Sequence, residues 1–509
     1  MPQNLKGCLY LQRRFAYIGH AMAVLLKEKY GVNQFCAYTD LRSSFEFLQS
    51  QKDFEYSDIL LDQDIHKTYA NEPLDVGYLN QLEKEYGLPN LWPYIENDRI
   101  VRYGLFLREY PHDTPPYTHK EMMRVVQVKA KAIIKFFKEE KPDFLIISVL
   151  ADISTMLVYQ VAKKMGVKTF FIQTARIGPR YTITEEYGTL SYVEKIFEEL
   201  QTNENAYPKE LDLAKNFLNQ FRDNPQPHSK KDSPKERPIN RKKQFSFLLP
   251  QNIFTSIRWA VKIWTDYIFN PHRDDYIVVK PWHYFWDRLK RKVRILIGFE
   301  DLYDAVTEED YALFPLQLEP EMSHTLFAPF YNDQLWVIKQ TARSLPIHFK
   351  LYVKEHPAMF GYRTRAFYKQ LKKIPNVKLI HPETSNFELI KNSKLIVAIT
   401  STAAWEGVLL KKPVITFGNV FYNAMPMVKK CVAIETLPEI VKSQLENFKY
   451  DEQALLNLIA AIYKESTELD LAQIWDVEGG GQMEKHEKEI SFFIDLIASK
   501  LYLKPTTTI

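Results

Sequence analysis

Leu351-Tyr352-Val353-Lys354-Glu355-His356-Pro357, Leu395-Ile396-Val397-Ala398-Ile399-Thr400-Ser401-Thr402-Ala403-Ala404-Trp405-Glu406-Gly407 and Val414-Ile415-Thr416-Phe417-Gly418-Asn419 follow one another within the stretch 351–422. Each is a short apolar run that breaks into small or polar residues. Continuous apolar runs of this length read as strands covered on both faces, the pattern of a parallel sheet flanked by helices. After the second run, Thr400, Ser401 and Thr402 open a helical segment that Lys411-Lys412-Pro413 ends. A helix start leaves backbone N–H groups unpartnered and carries the positive end of the helix dipole, so hydroxyls there make a place to hold an anion. Ligands of such sheets bind at the carboxyl ends of the strands, where His356, Ser401 and Asn419 stand. Ser and Thr also cap helices of no special function. One such turn means little; three in succession, one of them His-Pro, carry more weight.

The upstream run Phe314-Pro315-Leu316-Gln317-Leu318-Glu319-Pro320-Glu321 precedes this stretch. Together with Lys354–Pro357, Thr400–Gly407, Lys412–Gly418 and Phe421-Tyr422, it resembles the bacterial capsule polysaccharide biosynthesis family of glycosyltransferases. The resemblance runs over about residues 311–435 and is weaker around Arg176–Gly188. It implies an α/β chain of GT-B type, two Rossmann-like domains with parallel sheets facing a central cleft. It also implies a nucleotide-activated donor, with a CMP-linked acidic sugar such as Kdo as the best guess, and a growing surface or lipid-linked glycan as acceptor. The His-Pro turn followed by a Ser/Thr-rich turn is also similar to bacterial sialyltransferases of that fold. The family often carries Gly where this chain has Ser401 or Ala403, which leaves the phosphate geometry open.

Length and composition are compatible with two domains. A chain of 509 residues supports two substantial cores, its apolar content of 46% is ordinary, and its aromatic content of 14% is high. A formal net charge of +4 is small for this length and argues against a nucleic-acid binder. Cys8, Cys36 and Cys431 are scattered and lack metal-ligand spacing, so reduced thiols in a cytoplasmic protein are the simple reading. Residues 1–6 lack a signal-peptide pattern, and no apolar run reaches the roughly 18 to 20 residues of a membrane helix.

Taken in order, Gly7–Leu11, a turn over Gln12–His20, a helix through Lys27 and Asn33–Tyr38 read as a βαβ opening. In a GT-B enzyme the first loop faces the acceptor, which makes Arg13, Arg14 and His20 candidates; surface charge and a helix-start histidine are the plain alternatives. A helix over His119–Glu139 leads to the buried strand Phe144–Leu150, with Asp152 just past it. The helix Ile153–Met165 and the strand Lys168–Ile172 then deliver Gln173 to Arg180. Arg176 and Arg180 flank a Gly-Pro turn and suit a sugar carboxylate or phosphate, which guanidinium matches with two hydrogen bonds. Glu185 and Glu186 follow, either near the chemistry or as ion-pair partners.

Residues 223–244 are polar, Pro-rich and aperiodic, a linker. Behind them lies a basic aromatic stretch with Trp259, Trp264, Trp282 and Trp286 among Arg258, Lys262, Lys280, Arg288 and Lys290–Lys292. It reads three ways: peripheral contact with an anionic membrane through 254–294, a helical insertion packed on the second domain, or a groove that stacks sugars. The expected organisation is therefore an acceptor-side domain over 1–222, the linker over 223–244 and the insertion over 245–300. A nucleotide-sugar domain over 301–483 and a final helix over 484–509 that crosses back to the first domain complete it.

The resemblance also suggests roles. His356 would donate to, or protonate, the leaving phosphate, with Lys354 as a nearby positive charge. Ser401 and Thr402 would bind that phosphate, Glu406 would accept from ribose or base, and Gln317, Glu319 and Asn419 would line the donor pocket. The base for the acceptor hydroxyl would be Asp152, with Glu185 second. No Asp-x-Asp metal pattern stands near these strand ends, so no metal and no cofactor is expected, the nucleotide sugar being a substrate. A nucleotide-sugar 2-epimerase, a polyol-phosphate transferase of similar fold and a non-catalytic subunit of a polysaccharide-synthesis complex stay open at this point.

Overall fold

The computed structural model describes residues 5–12, 15–86, 90–103, 115–203, 206–227, 243–271, 280–469, 471, 474 and 486–506. The expected acceptor-side arginines Arg13 and Arg14 and most of the 223–244 linker lie outside them. The chain forms two compact units, one of Met1–Asp98, Tyr117–Phe217 and Gln453–Ile509, the other of Arg99–Pro116 and Leu218–Glu452.

The first unit is built on a seven-stranded sheet. Its strands are β1 (Lys6–Leu11), β2 (Gln34–Thr39), β3 (Ile59–Leu61), β4 (Phe144–Ile147), β5 (Lys168–Thr174) and β6 (Arg180–Thr184), joined by the late strand Ser466–Glu468. β1 to β5 are parallel to their neighbours, in spatial order β5-β4-β1-β2-β3. β6 turns back antiparallel on β5, and Ser466–Glu468 pairs antiparallel with β6. Cys8, Leu9, Tyr10 and Leu11 are all fully buried, as expected of a central strand covered by helices on both faces. The helix His119–Glu140 starts in a capping box between Thr118 and Glu121 and stops where Lys141 takes a left-handed conformation. The last helix, Glu487–Lys500, inserts Ile490, Phe493, Ile494 and Ile497 into one core with Phe15, Ile18 and Met22 of the helix Phe15–Tyr30. Tyr30 donates to Asp495 at 2.7 Å beside that contact.

The second unit carries a six-stranded sheet in which every pairing is parallel. Here β7 (Tyr311–Pro315), β8 (Lys350–Lys354), β9 (Val377–Ile380), β10 (Leu395–Ala398), β11 (Val414–Thr416) and β12 (Val428–Lys430) lie in the order β12-β11-β10-β7-β8-β9. Both units are thus α/β and doubly wound, in keeping with the GT-B-like class. The second sheet also fixes which residues meet. Pro315 pairs with Lys354 and Leu395 with Ala312; continued past the strand ends, these registers set Gln317 beside His356 and Thr400. Ala398 pairs with Thr416, which brings Gly418 to the same layer.

Candidate functional site

Four strand ends of the second unit converge, and their links form a closed set. Gln317 donates from Nε2 to Thr400 Oγ1 at 2.7 Å and accepts from the Thr400 N–H at 3.2 Å. Its own backbone is held by Gln334, which accepts from the Gln317 N–H at 2.8 Å and donates to its carbonyl at 3.2 Å. Thr400 also donates to the Ser323 carbonyl at 2.8 Å. Gly418 completes the layer because a Cβ there would stand 2.3 Å from Thr400 Cγ2, closer than packed atoms approach.

The helix Thr402–Leu409 starts at this edge with Ser401 as its cap, Oγ accepting from the Ala403 N–H at 3.2 Å. Tyr422 donates to the Ser401 carbonyl at 2.8 Å and stacks on Trp405. Ser401 and Thr402 are half-buried, whereas Thr400 is buried.

His356 caps the short turn Pro357–Met359. Its Nδ1 accepts from the Ala358 N–H at 3.2 Å, which places the proton of the neutral ring on Nε2. Lys354, at the end of β8, is buried and donates to the Pro382 carbonyl at 3.1 Å. Burial draws its ammonium down to about 8, against the opposing pull of Glu355 and Glu406.

Below this edge lies a residue that the sequence reading missed. Arg363 is fully buried. It donates from Nη2 to the Gln317 carbonyl at 2.6 Å and to Glu319 Oε2 at 2.9 Å, and from Nη1 to Glu355 Oε1. The same Glu355 oxygen accepts from the His356 N–H at 2.6 Å, and its partner oxygen accepts from Tyr368 at 2.6 Å. One guanidinium faces two buried carboxylates, and Glu319 is the less well served. Burial lifts Glu319 to about 7 despite Arg363. His324, with Nδ1 3.8 Å from Glu319, is driven down to about 3 by burial and by Arg363.

In the first unit, Asp152 stands past β4 as the cap of the helix Ile153–Lys164. It accepts from the Thr155 N–H at 2.8 Å and from Gln12 Nε2 at 2.9 Å. Burial, then the charges of Asp98 and Asp62, raise it to about 7 against Lys129. The Asp-x-Asp spacing at Asp62 and Asp64 serves ion pairs: buried Asp62 binds Lys129 at 2.6 Å, and Asp64 binds Arg42 at 2.5 Å. Among the described residues, no three His, Cys, Asp or Glu side chains group as metal ligands.

Several expected site residues are committed elsewhere. Glu185 follows β6, which runs back toward the start of β5. It therefore lies at the amino edge of the parallel strands, with its carbonyl accepting from Thr169 at 3.1 Å and its carboxylate from Tyr192. Asp152 is at the opposite, carboxyl edge, so the two carboxylates do not share a site. His20 lies inside the helix Phe15–Tyr30 and is buried; Nδ1 meets Tyr56 at 2.9 Å and Nε2 meets Asp53 at 3.1 Å. Arg180 binds Ser466 through Nε at 2.9 Å and through Nη2 to its carbonyl at 2.5 Å, which ties in the late strand. Arg176 holds a left-handed turn residue at φ +59°, half-buried between β5 and β6. Gln317 and Glu319 are buried below the edge, Glu406 is buried one turn into its helix, and exposed Asn419 accepts from Lys430.

Residues 266–439 match the family described as capsule polysaccharide biosynthesis protein. All the motifs from Phe314 to Tyr422 that carried the resemblance fall within that match. Among curated proteins, Protein FixF of Sinorhizobium fredii is 30% identical over 121 residues, which make up 23% of this chain and 29% of that protein. Among solved structures, the β-Kdo 2,7 transferase of Thermosulfurimonas dismutans KpsC is 12% identical at a TM-score of 0.38. That likeness covers 71% of this chain and 89% of the other. The β-Kdo 2,4 transferase of the same protein is 16% identical at a TM-score of 0.37, covering 67% and 89%.

Proposed function

We propose that this chain is a glycosyltransferase of capsule or related surface-polysaccharide synthesis. Its donor is a nucleotide sugar, a CMP-linked acidic sugar such as Kdo as first choice, and its acceptor is a growing or lipid-linked glycan. The observation that carries this reading is the joined carboxyl edge of the second sheet, where His356, Lys354 and the Ser401 helix start stand within the capsule-family match.

Departure of a nucleotide leaves negative charge on phosphate, and the protein must neutralise it. His356 presents Nε2–H as the donor, since Nδ1 is taken by the Ala358 N–H. Lys354 supplies a fixed positive charge close to the edge. The N–H groups at the start of Thr402–Leu409, with the Ser401 and Thr402 hydroxyls, receive the phosphate. Thr400 is spent on Gln317 and Ser323 and serves to hold the edge. In the first unit Asp152 has the chemistry of a general base: a carboxylate raised to about 7 accepts a proton near neutral pH and then holds it. The reaction needs no metal in this scheme. It takes place in the cytoplasm, where nucleotide sugars are made.

A thermal-shift screen against CMP, CDP, UDP, GDP and their sugars, with and without Mg²⁺, tests the donor site. A ligand at about 100 times its dissociation constant stabilises by ~2.7 kcal/mol. Metal-independent stabilisation by CMP that is lost in Ser401→Ala supports the reading. Stabilisation by UDP or GDP alone replaces the donor class. Release of free sugar from the donor with no glycosylated product replaces the reaction.

A further inference from the structure

Two helices of the second unit, Pro250–Phe269 and Pro281–Ile297, carry an apolar surface that the described residues leave uncovered. On the first, Phe254, Ile257, Val261, Trp264 and Ile268 recur at spacings of three and four and are 43–74% exposed, so they form one stripe. On the second, Trp282, Trp286, Leu289, Val293 and Leu296 form another, 43–58% exposed. The first helix has no buried residue at all. Between the helices, Trp259 packs edge-on to Tyr284 and Phe285, and Arg288 lies 4.2 Å over the Trp259 ring. The helix pair is thus held together along one line and, among the described residues, bare along two others.

Charge decides what covers it. Residues 250–269 and 280–297 contain eight Lys or Arg against Asp266 and Asp287, an excess of six positive charges. A second copy laid symmetrically on this face would bring that excess against itself. An anionic bilayer surface offers opposite charge to the basic residues, headgroup depth to Trp, and acyl chains to the aliphatic stripe. Among the described residues no helix is long and apolar enough to cross a membrane, so the helix pair would lie along the surface. Its foot is attached to the candidate site. Arg294 donates to the Tyr362 carbonyl at 3.0 Å, and Arg291 lies 4.8 Å over the Tyr362 ring. Gly361, at φ +82°, packs so closely that a Cβ would stand 2.7 Å from Ile295. Gly361 and Tyr362 directly precede the buried Arg363 that holds Glu355, whose carboxylate accepts the His356 N–H.

We infer that the helix pair Pro250–Phe269 and Pro281–Ile297 docks the protein on an anionic lipid surface, with its foot on the loop that carries His356. Docking stands on the helix pair alone; that it presents a lipid-borne acceptor to the site rests on the transferase reading.

The test is flotation of the full-length protein with vesicles of phosphatidylcholine, alone or with about a third phosphatidylglycerol, at low and high salt. It needs no donor and no activity, so it can fail or succeed apart from the proposed reaction. The expected result is binding to anionic vesicles that weakens with salt, and at least ten-fold weaker binding to neutral ones. Phe254→Ser combined with Ile268→Ser should abolish flotation while the urea-unfolding midpoint stays unchanged. Lys262→Gln and Lys290→Gln should each weaken binding by roughly five-fold. These positions are exposed or half-buried on the helix pair, so the fold tolerates them, and unchanged unfolding midpoints check this. Flotation that the apolar pair leaves intact overturns the inference. So does a protein that ignores both vesicles and sediments as a dimer dispersed by the same substitutions, because the face is then a contact between copies.

Discussion

Arg363 and Glu355 form a fully buried ion pair beneath the His356 turn, and the carboxylate oxygen that meets Arg363 is the one that accepts the His356 N–H. The guanidinium also holds the Gln317 carbonyl, so one side chain ties the ends of β7 and β8. Removing one partner of such a pair leaves a charge buried alone, which costs about 3–5 kcal/mol. Arg363→Met should lower stability by that amount in urea unfolding. Arg363→Lys keeps the charge but lacks the planar fork, and should fold while losing kcat rather than donor affinity. An Arg363→Lys enzyme with unchanged kcat would show that the tie does not set the His356 geometry.

Thr400 and Ser401 are neighbours with different partners, and substitution should separate them. Thr400→Ala removes hydrogen bonds to buried Gln317 and to the Ser323 carbonyl, so it should cost about 1–3 kcal/mol of stability. Ser401→Ala loses a helix cap, about 1 kcal/mol, and with it a hydroxyl facing the proposed phosphate site. Its larger effect should appear as weaker nucleotide stabilisation in thermal shift. Equal loss of nucleotide response in both would place the phosphate elsewhere.

The pH profile of kcat/KM should be a narrow bell. Asp152 accepts a proton only when ionised, so activity rises as pH passes about 7. Lys354 attracts phosphate only when charged, so activity falls as pH passes about 8. Asp98 is one of the charges that raise Asp152, and its Oδ2 accepts the Ile153 N–H at 3.1 Å, which an amide oxygen can also do. Asp98→Asn should therefore move the rising limb to lower pH and leave the falling limb in place. Asp152→Asn should lose on the order of 10²–10⁴ in rate. A rising limb that does not move in Asp98→Asn would detach it from Asp152.

The central strands of both sheets were legible because a strand covered on both faces is an apolar run whatever its neighbours, whereas the short outer strands Ile59–Leu61, Val428–Lys430 and Ser466–Glu468 were not. The 351–422 stretch holds three such runs, each ending in residues unsuited to a core. The capsule-family resemblance was legible on the same residues. Arg363 was not, because Gly361-Tyr362-Arg363-Thr364-Arg365 reads as a polar surface turn. Its burial depends on carboxylates from two other loops, and nothing local reports them. Glu185 was misplaced for a different reason. Arg180-Tyr181-Thr182-Ile183-Thr184 follows a Gly-Pro turn and alternates like a strand, so a hairpin signal was present. Reading the region as one more βαβ unit hid the reversal that carries Glu185 to the far edge. The helix pair's basic and aromatic composition was visible, but only the structure shows that its apolar stripes are exposed among the described residues.

Glu319 gives a stability test of the buried network that is independent of the reaction. Its carboxyl is raised from the ordinary glutamate value to about 7, first by burial and then by Glu355, against Arg363. Between about pH 4.5 and 7 the folded protein therefore holds a proton that the unfolded chain has released. By linkage, stability falls as pH rises through that window and levels off above it. Glu319→Gln keeps the shape and an acceptor for Arg363 but cannot ionise, so it lacks this contribution while sharing the pH dependence of the other buried groups, Asp152 and His324 among them. The wild type should lose on the order of 2–3 kcal/mol relative to Glu319→Gln between pH 5 and pH 8. Urea unfolding at the two pH values measures it. A wild type that instead gains on Glu319→Gln with rising pH would mean that Arg363 holds Glu319 ionised, and that the second carboxylate of the network is fully compensated.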